Sequence, residues 1–161
     1  MDLQVDWVGA DHLAVVPPDN IIIAACPATM VPIVWARVAP MLQLPCDMSH
    51  NETDIESVYA RLMAGDSLLT LVSKGTEIVA AITLNVVTFD TGLKALYLPL
   101  VSGKYFDQWC DRYFKVVCAI AKDLNCTELR GISVRKGWLR KLRKYGFEEV
   151  STIVRCPLED K

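Results

Sequence analysis

The stretch SLLTLVSKGTEIVAAITLNVVTFDTGLKALYLPL runs from Ser67 to Leu100, and its reading decides the fold. It holds three apolar, β-branched runs, Ser67 to Ser73, Ile78 to about Phe89 and Lys94 to Leu100. Lys74-Gly75-Thr76 and Asp90-Thr91-Gly92 separate them. Breaks this short, built from glycine and aspartate, return the chain on itself, so the spacing predicts an antiparallel meander of three strands.

After the meander the period changes from two to between three and four. From Lys104 to Leu124 the residues Phe106, Trp109, Cys110, Tyr113, Val117, Ile120, Ala121 and Leu124 fall on one stripe, with Asn125 at the end. That is an amphipathic helix with its stop signal. Cys126 to Val134 then reads as a strand, Arg135 to Tyr145 as a short helix closed by Gly146, and Phe147 to Arg155 as a last strand.

Before the meander, Ile21 to Ala25 is a short β-branched run between Asn20 and Pro27, a buried strand by composition. Val31, Val34, Trp35, Val38, Met41 and Leu42 give a helix over 28–43, bent or ended around Pro40. Leu44 to Glu52 reads as a loop. A second helix follows, with Thr53 and Glu56 at capping-box spacing, an apolar face of Ile55, Val58, Tyr59, Leu62 and Met63, and Gly65 as its stop. Residues 1–20 have weak periodicity and end in Val-Val-Pro-Pro-Asp-Asn, so they read as an N-terminal arm. Residues 21–161 read as one mixed α/β (α+β) domain, without an internal repeat or a linker to divide them.

The whole-chain numbers agree with that. A chain of 161 residues, 52% hydrophobic and 22% charged, has the size and composition of one globular core. The formal net charge of −2 supplies no general attraction to nucleic acid or anionic membranes. No run of eighteen apolar residues occurs, and acids stand near Met1 where a secretory leader carries bases, so the expectation is a soluble protein that is not secreted. Cys26, Cys46, Cys110, Cys118, Cys126 and Cys156 form no C-x-x-C pair, and His12 and His50 lie far from most of them. The expectation is reduced core thiols and no metal site.

Two clusters invite a functional reading. Arg135, Lys136, Arg140, Lys141, Arg143 and Lys144 surround Trp138 and make a local positive field. The plain reading is that helical geometry spreads these charges over solvent while Trp138, Leu139 and Leu142 face the core. Contact with a partner protein is its strongest rival, and nucleic acid is disfavoured by the acidic chain. Ser102, Gly103 and Lys104 precede the long helix, whose N-terminus favours anions. They are candidates for holding a phosphate, against the plainer reading that Ser102 or Gly103 caps the helix. Glu77, Asp90 and His50 are available as bases, but none sits in a motif, so no catalytic residue is assigned.

The element order, together with Lys141-Leu142-Arg143-Lys144-Tyr145-Gly146-Phe147, resembles the GNAT N-acetyltransferase superfamily over Ile21 to Cys156. The resemblance implies a mainly antiparallel central sheet with helices on both faces, and acetyl-CoA as cofactor. It also implies a glycine-rich turn after the fourth strand that aims backbone N–H groups at the pyrophosphate, and a tyrosine that protonates the departing thiolate. Both features differ here. Aligning Gly146-Phe147 puts Leu142 at the tyrosine position, and leucine donates no proton. Tyr145, three residues on, points roughly 60° away on a helix. Leu98-Pro99-Leu100-Val101-Ser102-Gly103-Lys104-Tyr105 carries one glycine where the family has several.

Arg130-Gly131-Ile132-Ser133-Val134-Arg135-Lys136-Gly137-Trp138 is similar to a turn of the GNAT-like proteins encoded by tailed bacteriophages. Pro32, Trp35, Val38 and Pro40, and the segment Arg61 to Leu68, are similar to that subgroup as well. This resemblance implies a phage-encoded protein, made in the host cytoplasm and carried in the virion. It would act through other proteins or copies of itself, with no cofactor. The alternative is an active acetyl-CoA-dependent N-acyltransferase with a divergent cofactor site.

Overall fold

The meander forms as its turns dictate. In the computed structural model, which describes residues 19–132 and 137–158, β2 (Leu68–Lys74) pairs antiparallel with β3 (Glu77–Thr88). The β3 strand pairs antiparallel with β4 (Lys94–Leu98). β1 (Ile21–Cys26) adds to the free edge of β2, antiparallel, from Ile21 opposite Lys74 to Cys26 opposite Leu69. β6 (Glu128–Gly131) lies parallel to β4 on the other side, giving the order β1-β2-β3-β4-β6. One parallel pairing in an otherwise antiparallel sheet requires a crossover, and the long helix provides it.

The third run of the meander is interrupted, which corrects the single strand expected over Lys94 to Leu100. Pro99 has no N–H to give a ladder, so β4 ends at Leu98 and pairing with β3 resumes in β5 (Val101–Gly103). Tyr97 faces Asn85 and Val101 faces Ile82, so four steps along one strand answer three on the other. This is a bulge, bridged by the Thr83 N–H donating to the Leu100 carbonyl at 3.0 Å. Since β6 stops at Gly131, β5 has a neighbour on its β3 side alone among the described residues.

Alternation along the strands builds two cores. Leu69, Leu71 and Ala81 face α1 (Val31–Asp47) and α2 (Ile55–Ala64), packing on Val34, Val38, Leu42, Val58 and Leu62. Leu68, Val72, Ile82, Leu84 and Leu96 face α3 (Phe106–Asp123) and meet Trp109, Tyr113, Val117 and Ile120. Each fully buried side chain of this size contributes about 1.5–3 kcal/mol, so the two faces together dominate the stability. Inside the second core the Thr70 hydroxyl donates to the Ile82 carbonyl at 3.1 Å and pairs with the Tyr113 hydroxyl at 2.7 Å. Burial pushes the Tyr113 pKa up, so that phenol stays neutral.

Several boundaries differ from the sequence expectations. The first helix does not end at Pro40: it runs to Asp47 with Pro40 and Pro45 inside it, and a 3₁₀ turn, Ala28–Met30, replaces its expected first residues. Val38, Leu42 and Cys46 are buried on both sides of these prolines, and this packing outweighs each lost backbone bond. The segment 44–47 is therefore helix rather than loop. Asp54, not Thr53, caps α2, accepting from the Ser57 N–H at 2.8 Å, while Thr53 receives the Arg61 guanidinium at 3.0 Å. Gly65 ends α2 in the left-handed conformation, φ 78°, as its position predicts.

The last expected strand, Phe147 to Arg155, is not formed: 147–158 has no ladder partner among the described residues. Strand-forming composition makes a strand only where an edge receives its backbone. Val134 and the expected start of the last helix at Arg135 lie outside the described residues; α4 spans Trp138–Arg143. The N-terminal arm also lies outside them, up to residue 18. Cys26, Cys46, Cys110 and Cys126 are buried, none of the cysteines is in a disulfide, and Cys156 departs from the core-thiol expectation by being exposed. Among the described residues no helix is long and apolar enough to cross a membrane, and no cluster of side chains could hold a metal.

Candidate functional site

Ser102 and Gly103 lie in β5, opposite Ala81 and Ala80. This corrects the expectation that one of them caps the long helix: the residue before α3 is Tyr105, in the left-handed conformation with φ 59°, and no side chain caps the helix. Gly103 is needed for a close approach. A Cβ there would stand 2.4 Å from the Ala80 Cβ and 2.6 Å from both the Ala80 Cα and the Val79 carbonyl oxygen.

Lys104 is tied three ways. Its N–H donates to the Val79 carbonyl at 2.8 Å, its own carbonyl accepts from the Trp109 indole N–H at 2.7 Å, and its ammonium pairs with Glu77 at 2.9 Å. Glu77, first considered as a base, thus pairs with the Lys104 ammonium. That pair is exposed, and the Glu77 contact holds the Lys104 pKa above its ordinary value. Asp107 occupies the first turn of α3, so a carboxylate of the chain itself stands where the helix N-terminus would favour a foreign anion.

The seam between α3 and α4 is filled. Phe106 packs against Trp138 at 4.7 Å between centroids and edge-on to Trp109 at 5.1 Å; Phe114 stacks on Tyr145 at 4.7 Å. Leu142 and Tyr145 both line this seam, which retains about 50 Å³ of space. Ligand pockets are commonly about 300–1,000 Å³. Tyr145 does not point its hydroxyl into open space: it donates to the Asp111 carboxylate and lies 3.0 Å from the Cys110 sulfur. Desolvation first, then the Asp111 bond, pushes its pKa up. A larger recess, about 210 Å³, opens at the far end of the sheet among Leu68, Leu84, Val86, Leu96 and Leu124, with Asp66 at its wall.

This arrangement uses several of the turn's own polar groups within the chain. The Lys104 N–H is used by β3, its ammonium pairs with Glu77 at the surface, and Asp107 stands exposed in the first turn of α3. A second ammonium, Lys74, lies over the Tyr105 ring and donates to Gln108 at 3.0 Å, and aromatic rings line the seam. Asp90 and His50 are exposed on separate turns, and nothing brings them to this corner.

The basic cluster divides. Arg135 and Lys136 lie outside the described residues. Lys141 reaches Asp107 at 3.8 Å and sits over the Phe106 ring, and Lys144 reaches Asp111 at 3.5 Å and sits over the Tyr145 ring. Arg140 and Arg143 are exposed and form no ion pair among the described residues. Sequence reasoning missed the acids of this arrangement. Asp107 and Asp111 are four apart on one helix and Lys141 and Lys144 three apart on another, the spacing of residues that share a helix face.

Asp111 gives a pH prediction. The Tyr145 hydroxyl first, and the Lys144 ammonium second, hold its carboxyl below the usual range. A depressed carboxylate stabilises above its unfolded pKa, about 3.9, and the contribution is lost as pH falls further, through the folded value. The Tyr145 near-ultraviolet dichroism is expected to change below about pH 4 in the native protein and to be flat there in Asp111→Asn. Equal profiles would show that Asp111 does not hold this seam.

The sheet order, the parallel β4–β6 pairing across a helix, the bulge in the fourth strand, and helices on both faces define the GNAT fold. Solved structures agree. The chain is similar to a ribosomal-protein-alanine N-acetyltransferase from Brucella melitensis biovar Abortus 2308, with TM-score 0.62 and 14% identity, covering 85% of this chain and 99% of that one. It is similar to glucosamine-6-phosphate N-acetyltransferase from Arabidopsis thaliana, with TM-score 0.60 and 11% identity, covering 86% and 99%. It is also similar to an aminoglycoside acetyltransferase from an uncultured soil metagenomic sample, solved with sisomicin, with TM-score 0.60 and 13% identity, covering 88% and 97%. No family model matches the sequence, and no curated protein matches it. At such identities the likeness establishes the fold, and a fold by itself does not carry a function.

Proposed function

We propose that this chain is a GNAT-fold protein without acetyltransferase activity, which works through protein–protein contacts as a virion-associated component of a bacteriophage. The observation that carries the first part is the Gly103–Lys104 corner, whose backbone and ammonium groups are directed to Val79, Trp109 and Glu77. Leucine at position 142 and the engagement of Tyr145 with Asp111 support the same reading. The phage part rests on the resemblance of the segment from Arg130 to Trp138. The exposed Arg140 and Arg143, on a helix anchored through Lys141 and Lys144, are the proposed partner face.

A thermal melt tests the first part. A ligand that binds the folded state at 100 times its Kd stabilises by about 2.7 kcal/mol, so an acetyl-CoA site would raise Tm by several degrees. The expected result is an unchanged Tm at millimolar acetyl-CoA. A dose-dependent rise together with acetyl transfer to an amine would establish the alternative, an active N-acyltransferase with a divergent site. The phage part expects the protein in purified particles by mass spectrometry, and its absence from them would remove that part.

A further inference from the structure

Helix α1 lies on the outside of the sheet, yet it is apolar on both of its sides. In 17 residues it carries one base, Arg37, and one acid, Asp47. Val31, Val34, Val38, Leu42 and Cys46 are buried toward the sheet. On the opposite side Ile33, Ala36, Pro40 and Leu44 are exposed, Ile33 by 67% and Leu44 by 49%. Steps of three, four and four residues place these four in one line along the helix. A surface helix ordinarily turns charges to solvent, and a helix that is apolar all round is ordinarily covered all round.

The charges at the margins of this line indicate what covers it. Arg37 and Asp47 are exposed and flank it on either side, and neither is in an ion pair among the described residues. Gln43 donates to Asp47 at 2.7 Å and holds that carboxylate at the margin. One charge of each sign, set apart along an apolar line, is complementary to the same helix running the other way. With a two-fold axis level with Leu42, Arg37 of each copy stands opposite Asp47 of the other, and Leu44 stands opposite Pro40. The spacing is that of helices packed side by side, and small side chains such as Ala36 allow their axes to approach to about 8–10 Å.

We infer that two copies of this chain associate through α1, antiparallel about a two-fold axis. Ile33, Ala36, Pro40 and Leu44 form the apolar strip, and two Arg37–Asp47 pairs lie at its margins. α1 is on the sheet face opposite α3, and α4 packs on α3, so this face differs from the one that exposes Arg140 and Arg143. The dimer leaves that second face open on both copies and presents it twice, which raises avidity for a partner with two matching sites. A helix of 17 residues is about 25 Å long and about 10 Å across, so the pair buries less than the roughly 1,600 Å² of a standard interface. The dimer is therefore reversible, with dissociation in the micromolar range. This inference does not depend on whether acetyl-CoA binds. A dimer that also bound acetyl-CoA would leave it standing and remove only the proposed function.

Sedimentation equilibrium of the full chain from about 1 to 200 μM tests it, in the native protein, Leu44→Glu, Arg37→Asp, Asp47→Arg and the double variant Arg37→Asp/Asp47→Arg. All three side chains are exposed, so the variants keep the fold, and matching thermal melts check that they do. The native mass is expected to rise from one chain to two with concentration, while Leu44→Glu, which puts a charge in the apolar strip, stays at one chain. Each single charge reversal turns two attractions into two repulsions and is expected to weaken association about tenfold or more. The double variant restores both pairs with their signs exchanged, and is expected to associate within about threefold of the native protein. A native monomer throughout this range would overturn the inference, leaving the strip to a different protein or to residues 1–18 of the chain itself. A dimer indifferent to Leu44→Glu would overturn it by placing the interface elsewhere, and a double variant no better than the single ones would overturn the antiparallel two-fold pairing.

Discussion

Replacing Trp109 with alanine is expected to cost roughly 3–5 kcal/mol, a large share of the roughly 5–15 kcal/mol that holds an ordinary domain together. Trp109 is 2% exposed, and its ring meets Phe106 and Tyr113 edge-on. Its indole N–H donates to the Lys104 carbonyl at 2.7 Å, so the same side chain fills the core under α3 and fastens the corner that precedes it. Alanine leaves a cavity and an unpaired carbonyl together. Trp109→Phe separates the two: most of the volume stays while the hydrogen bond is lost, for an expected cost of about 1–3 kcal/mol. Urea denaturation of the three proteins measures both numbers. Equal stability of the native and phenylalanine forms would show that the indole bond does not anchor the corner.

Gly103→Val is expected to destabilise by the upper part of the roughly 1–3 kcal/mol range of overpacking, or beyond it. The atoms a Cβ would strike belong to the Ala80 backbone and side chain and to the Val79 carbonyl, in the middle strand of the sheet. Flexible side chains yield to an added methyl group, whereas a paired central strand does not. Lys104→Ala, one residue on, removes only an exposed ion pair and is expected to stay within about 0.5 kcal/mol of the native protein. That contrast separates the two readings of the corner. A residue retained for close packing fails structurally when enlarged, while a phosphate-binding turn loses ligand affinity on either substitution and need not lose the fold. Chemical denaturation provides the comparison, and a Gly103→Val protein as stable as the native one would contradict the packing argument.

The meander was legible because the continuous apolar runs around Leu68 to Val72 and Ala80 to Leu84, buried on both faces of the sheet, are a local property, and short glycine turns fix which strands are neighbours. The stripe from Phe106 to Leu124 was legible for the same reason at period 3.6. What failed depended on partners distant in sequence. Pro40 suggested an end to the first helix, but burial of Leu42 and Cys46 continues it. Phe147 to Arg155 has strand composition, but whether it pairs is decided by an edge elsewhere. Glycine at 103 was visible as a residue, yet its reason, contact with Ala80, lies across the sheet. The role of Lys104 was equally hidden, because Glu77, Val79 and Trp109 come together only in the fold.

The basic cluster shows the same limit from the other direction. Its charges stand out in the sequence, but the acids that hold two of them are on α3, some thirty residues earlier in the chain. Helical periodicity alone gives the face of each residue and not the helix that meets it. Exposed ion pairs of this kind contribute little each, about 0–1 kcal/mol, and the contacts of Trp138 with Phe106 and of Tyr145 with Phe114 are what pack α4 and its exit on α3.

Calorimetric titration of acetyl-CoA into the full chain tests most directly whether the corner after β5 is a packing device rather than a phosphate site. The account predicts only the heat of dilution up to millimolar cofactor. A saturable one-to-one isotherm in the micromolar range, lost in Lys104→Ala, would contradict it.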